Sequence, residues 1–170
     1  MKVLGLVGHS NSGKTTLVER LLPECSKYGR VGTVKSIHHD IEVDTPGTDT
    51  HRHASAGAET VVGITPSTTF EITNRGKQTD GSNGNGNGNG NGNENGATTE
   101  LAPLRTTLQR LQARGYDLVL VEGFRQARCP KLVVGETVPD GTAPRIIEQI
   151  TEPDAVDVAR LAESVCGLGD

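Results

Sequence analysis

Three blocks of the chain hold residues whose types and spacing could do chemistry. Gly8 to Thr15 reads GHSNSGKT, which fits the pattern G-x-x-x-x-G-K-[ST]. Glycines at Gly8 and Gly13 let a backbone wrap an anion and turn its N–H groups inward at a helix N-terminus. Lys14 is then placed for the β- and γ-phosphates, and the Thr15 hydroxyl for Mg²⁺. The nucleotide-binding set is Gly8, His9, Ser10, Asn11, Ser12, Gly13, Lys14, Thr15 and Thr16. The second block, LVLVEG, puts Glu122 directly after an apolar run, where it can hold Mg²⁺ or orient the attacking water. Lys14 and Glu122 are the catalytic candidates. The third block, Ser36 to Ala58, holds His38, His39, His51 and His53, four of the five histidines. Taken alone it suits an anion site, a metal site or a polar loop.

These residues need a scaffold, and the motif sets its form: a strand before the glycine loop and a helix after it. Val3 to Val7 is a short apolar run ending in glycine, which predicts a buried strand. From Lys14 to Cys25, Leu17, Val18, Leu21 and Leu22 recur at helical spacing, with Pro23 bending or ending the helix. Arg30 to Ile37 predicts a second strand, and Asp49 caps a short helix running to Ala56. Thr60–Ile64 and Thr68–Ile72 are two strands with only three residues between them, which permits a hairpin but no parallel crossover.

Residues 78–98 carry a Gly/Asn tract with almost no apolar residue, expected to be a disordered, flexible insert. After it, Leu101, Leu104, Leu108 and Leu111 share one face of a helix that starts near Thr98 or Thr99 and ends at Gly115. Tyr116–Phe124, KLVVGE and RIIEQI predict strands, and residues 154–167 a closing helix. Strands alternating with helices imply an α/β fold: a P-loop NTPase-like, mostly parallel sheet flanked by helices, with one antiparallel hairpin. Residues 1–170 are expected to form a single nucleotide-binding domain that the insert decorates.

Composition narrows the functions. The net charge is −4 and the pI about 5.7, with no basic stripe, which argues against a nucleic-acid partner. Three cysteines, far apart and never in a C-x-x-C pair, suggest neither a disulfide framework nor a zinc ribbon. The start turns polar too early for a signal-peptide core, and no apolar run reaches the roughly 18 residues of a membrane span. The expected compartment is the cytoplasm. Base identity stays open between ATP and GTP, because N-K-x-D is absent and TNRGK at 73–77 resembles it only superficially.

Three segments carry a family resemblance: GHSNSGKTTLVERLLP, VKSIHHDIEVDTPGTDTHRHASAGA and DLVLVEGFRQARCPKLVV. Together they resemble the molybdopterin-guanine dinucleotide biosynthesis protein B (MobB) family. The middle segment is the most distinctive, since a plain phosphate-loop protein has no reason to carry it. The resemblance implies a GTP-binding, weakly hydrolysing protein that acts with the guanylyltransferase joining GMP to molybdopterin, and it implies a homodimer. Three features depart from the family pattern: Arg125 where a lysine is usual, the long insert, and His53.

In such a sheet the H-H-D block follows the second strand's carboxyl end, beside the phosphate loop. Lys35, His38, His39 and Arg52, with Arg125, would then form a second anion or pterin-phosphate site. Asp40, Asp44 and Asp49 would serve the metal or hold those bases, so Thr15, Glu122 and Asp40 are the metal candidates. A transition-metal site fits less well, because His51 and His53 point about 200° apart on a helix and no cysteine lies near. Two other functions stay open: a nucleotidase for metal delivery in metalloenzyme maturation, and a small-metabolite kinase. The first usually shows a Cys-Pro-Cys, Cys-His or polyhistidine motif. The second needs an arginine-bearing lid, whereas Arg105, Arg110 and Arg114 read as a solvated helix face.

Overall fold

The computed structural model describes residues 1–39, 41–73 and 96–167, the first turn of the third helix as backbone only. Eleven elements are described: β1 (Lys2–Val7), α1 (Lys14–Cys25), β2 (Val31–Lys35), α2 (Asp49–Ser55), β3 (Thr60–Ile64), β4 (Thr69–Thr73), α3 (Gly96–Ala113), β5 (Leu118–Glu122), β6 (Lys131–Val134), β7 (Ile146–Ile150) and α4 (Val158–Gly167). They fall into two compact units. One comprises Met1–Ile37 with Asn93–Asp170, and the other His38–Gly92.

The larger unit is a five-stranded sheet in the order β2-β5-β1-β6-β7, with every neighbouring pair parallel. Both faces are covered, which is why β1, β5 and β6 read as near-continuous apolar runs. The two-residue period of a strand sorts its side chains between the faces. Leu118 and Leu120 of β5 join Leu4, Leu6, Leu17, Leu21, Leu161, Ala162 and Val165 under α1 and α4. Val119 and Val121 pack on the opposite face with Leu104, Leu101, Leu108 and Leu111 of α3. The leucine stripe expected of α3 is therefore its buried face, and Arg105 and Arg114 lie exposed.

The smaller unit contains α2 and the antiparallel β3–β4 hairpin, in register Val61↔Ile72 and Gly63↔Phe70. Val61 and Gly63 are buried while Val62 and Ile64 are exposed, so the hairpin has one covered face.

The α/β class, the mostly parallel sheet and the hairpin all agree with the sequence reading. α1 runs Lys14–Cys25 as expected, with Pro23 inside its last turn, where a missing N–H disrupts little of the helix. Other boundaries differ. Thr48, not Asp49, caps α2, its hydroxyl accepting from His51 N at 3.3 Å. α4 starts only at Val158, because Asp157 Oδ1 accepts from the N–H groups of Ala159 and Arg160 at 3.1 and 3.0 Å. α3 opens at Gly96, before Thr98 and Thr99, and most of the Gly/Asn tract lies outside the described residues. Among the described residues no helix is long and apolar enough to cross a membrane.

Candidate phosphate-loop site

The loop from Gly8 to Gly13 leaves the carboxyl end of β1, the central strand, and enters α1. Gly8 admits no side chain, since a Cβ there would stand 2.2 Å from the Val134 carbonyl oxygen. Asn11 (φ 62°) and Gly13 (φ 87°) both take left-handed conformations, which wrap the loop around its own interior. No side chain caps α1, so the N–H groups of its first turn face outward for an external acceptor. A backbone so arranged can cradle an anion.

Lys14 bends back over the loop. Its Nζ donates to the carbonyls of Gly8 (3.0 Å) and His9 (2.5 Å) and to Ser12 Oγ (3.4 Å). Burial holds its pKa below the usual lysine range; Glu122 pulls it up and the Lys35 charge pushes it down.

Glu122 ends β5 and is largely buried. Its Oε1 accepts from Thr15 Oγ1 at 3.2 Å and pairs with Lys35 Nζ at 3.1 Å. Lys35 Nζ also donates to Thr15 Oγ1 at 3.3 Å, closing a triangle. The parallel registers Leu6↔Glu122 and Lys35↔Glu122 line up these strand ends. A hydroxyl and a carboxylate so close are hard oxygen donors of the kind Mg²⁺ takes, so the donor set fits that ion.

Of the second-site residues, Lys35 thus stands within the phosphate-loop triangle. Arg125 is exposed, donates from Nη1 to the Asp140 carbonyl at 3.2 Å, and accepts from Ala143 N at 2.9 Å. In the smaller unit, His38 and His39 are exposed, and Arg52 pairs with Asp49 at 3.5 Å. His51 faces Glu42 at 3.7 Å and accepts from Gly47 N at 3.5 Å. Hydrogen bonds from the Thr50 hydroxyl first, then from Thr45 N and the Thr48 hydroxyl, hold the Asp44 carboxyl below its usual range. Among the described residues no three His, Cys, Asp or Glu side chains converge as a metal-ligand set. Asp40 lies outside the described residues.

Two features have no counterpart in the sequence reading. Arg20 of α1 donates to the carbonyls of Pro153 and Val156, and the Pro153 ring lies where a Cβ on Gly13 would be. The β7–α4 segment is therefore strapped onto the phosphate loop. Lys131, read simply as a strand residue, is fully buried, its stem over Gly5 and its Nζ donating to Ala127 O and Cys129 O. Only the lack of a side chain at Gly5 could have hinted at this.

A parallel sheet whose central strand feeds a glycine cradle, a lysine and a Thr–Glu pair defines a phosphate-loop α/β protein. The family described as molybdopterin guanine dinucleotide synthesis protein B matches residues 3–83. A molybdopterin-guanine dinucleotide biosynthesis adapter protein of Haemophilus influenzae is 30% identical over 149 residues, covering 87% of this chain and 71% of its own. A similarly named chain of Methanocaldococcus jannaschii is 32% identical over 138 residues; the match takes in 79% of this chain but only 47% of that longer relative. In fold alone, the crystal structure titled molybdopterin-guanine biosynthesis protein B is similar, with a TM-score of 0.60, 24% identity and coverage of 98% of this chain and 99% of the other. Bacillus subtilis MobB is similar in the same sense, with a TM-score of 0.58, 22% identity and coverage of 95% and 98%. The chain belongs to the MobB family.

Proposed function

We propose that this chain is a cytoplasmic GTP-binding accessory protein of molybdenum cofactor biosynthesis, assisting the attachment of GMP to molybdopterin and hydrolysing GTP weakly. The triangle of Thr15, Glu122 and Lys35 at the mouth of the glycine cradle carries this reading. The adapter names of its relatives support the pathway and its enzymes as partners. In this reading the loop amides and Lys14 hold the triphosphate, and Lys14 exchanges its carbonyl partners for phosphate oxygens. Thr15 and Glu122 would hold Mg²⁺, which offsets charge on the β- and γ-phosphates when bound. Lys35 balances the Glu122 carboxylate before the metal arrives.

Lys35 and Arg125 in the larger unit, and separately His38, His39 and Arg52 in the smaller, are proposed as residues that receive the pterin phosphate or a further anion. The whole chain is proposed to act as one nucleotide-binding domain, paired in a homodimer. Titration of GTP and ATP with Mg²⁺ present, on wild type and Lys14→Ala, tests this. GTP should bind more tightly than ATP. The substitution should weaken GTP at least tenfold, about 1.4 kcal/mol, with little change in Tm. Equal affinity in the two proteins would reject the site.

A further inference from the structure

The end of the sheet away from the phosphate loop carries chemistry that nucleotide binding does not use. Lys2, Val31 and Leu118 begin three neighbouring strands, and a cavity of about 210 Å³ lies beside them. Cys25, Tyr28, Asp117 and Cys166 share its wall. Cys25 is the last residue of α1 and Cys166 the last but one of α4. The two helices pack together through Leu17, Leu21, Leu161, Ala162 and Val165, which brings both thiols to one place. Both thiols line the same cavity, near enough for Cys166 to act on the titration of Cys25. Lys2 Nζ donates to the Cys166 carbonyl and so ties that end of α4 to β1.

We propose that Cys25 and Cys166 form a peroxide-oxidisable thiol pair, closing to a disulfide that joins the end of α1 to the end of α4. The two thiols are unequal. Cys25 is fully buried, and burial first, then the charge and hydrogen bond of Cys166, push its pKa up to about 12. Cys166 is partly exposed and is the entry point. Its sulfur attacks one peroxide oxygen; the O–O bond breaks, leaving a sulfenic acid and, with the thiol proton, one water. Cys25 then attacks that sulfur. The S–S bond forms, the S–O bond breaks, and the hydroxyl leaves with the Cys25 proton as a second water. In sum, two thiols lose two electrons and one peroxide becomes two waters.

The bridge spans the two elements that flank the phosphate loop from their far ends. α1 carries the loop, and the lead-in to α4 is strapped on it by Arg20 and Pro153. Cys129 is buried in the separate cluster under α3 and serves as an internal control.

The full-length reduced protein is treated with a slight excess of hydrogen peroxide, alkylated with N-ethylmaleimide in denaturant, digested and mapped by mass. A peptide pair joining Cys25 to Cys166, with Cys129 alkylated, is the expected result, together with a Tm rise that dithiothreitol reverses. In Cys25→Ser, Cys166 should stop at the sulfenic acid and be trapped by dimedone. Should that variant fail to fold, the wild-type map decides alone. Alkylation of all three thiols after oxidation, a bridge to Cys129, or a bridge between two molecules would overturn the proposal.

Discussion

Lys14 and Glu122 sit in one field but answer to different forces. Lys14 is held below the usual lysine range chiefly by burial, so its charge is dearest before an anion arrives. The protonated form is the one that binds phosphate. Affinity should therefore be full below the lowered pKa of the free protein and fall as the pH rises through it. Binding in that window should take up a proton, because the bound anion raises the lysine's pKa again. Calorimetry in buffers of different ionisation enthalpy checks this; an affinity that stays flat into the alkaline range counts against it. Glu122 faces Thr15 and Lys35, not the loop amides. Glu122→Gln should thus lower GTP hydrolysis at least tenfold, about 1.4 kcal/mol in the barrier, while GTP binding stays within about twofold, some 0.4 kcal/mol. Single-turnover hydrolysis beside a binding titration separates the two effects.

Among the elements, legibility followed the range of the interactions involved. β1 and α1 could be read directly, because an apolar run, a glycine motif and leucines at helical spacing are all local signals. The caps were harder: Thr48 sets a helix start through one hydrogen bond to a backbone N–H and Asp157 through two, and other polar residues stand close by in the sequence. Register was not readable at all. Lys35 stands beside Glu122 only because β2 pairs with β5, its partners 87 residues apart in the chain, and Lys131 is buried only because Gly5 on the next strand leaves room. The phosphate cradle and its Lys14 could thus be assembled from sequence, but not the pairing of Lys35 with Glu122 at its mouth. α3 makes a separate test, since its leucines cover the sheet face opposite α1. Leu104 is 5% exposed and packs with Val119 and Val121. Leu104→Ala should lower unfolding free energy by roughly 2–5 kcal/mol, the usual cost of such a cavity, measured by denaturant titration. Nucleotide affinity of the folded fraction should hold, because the cradle is built on β1, α1 and the end of β5.

At the scale of the whole molecule, stability rests on two clusters that meet across one sheet. Every buried member belongs to segments 4–25, 104–134 or 150–165. The composition of the Gly/Asn tract gives it nothing apolar to contribute to such a cluster. Removing residues 81–95 keeps Gly96, where α3 begins, and shortens the connection from β4. The entropy of closing a loop varies only with the logarithm of its length, so the shortening is worth on the order of 1 kcal/mol, in the stabilising direction. The deleted chain should therefore melt at the same temperature as the parent or slightly above, and bind GTP as the parent does. Thermal denaturation and one titration of each protein measure both quantities. A deletion variant that unfolds, or folds but loses nucleotide, would make the tract a working part of the molecule and not a spacer between β4 and α3.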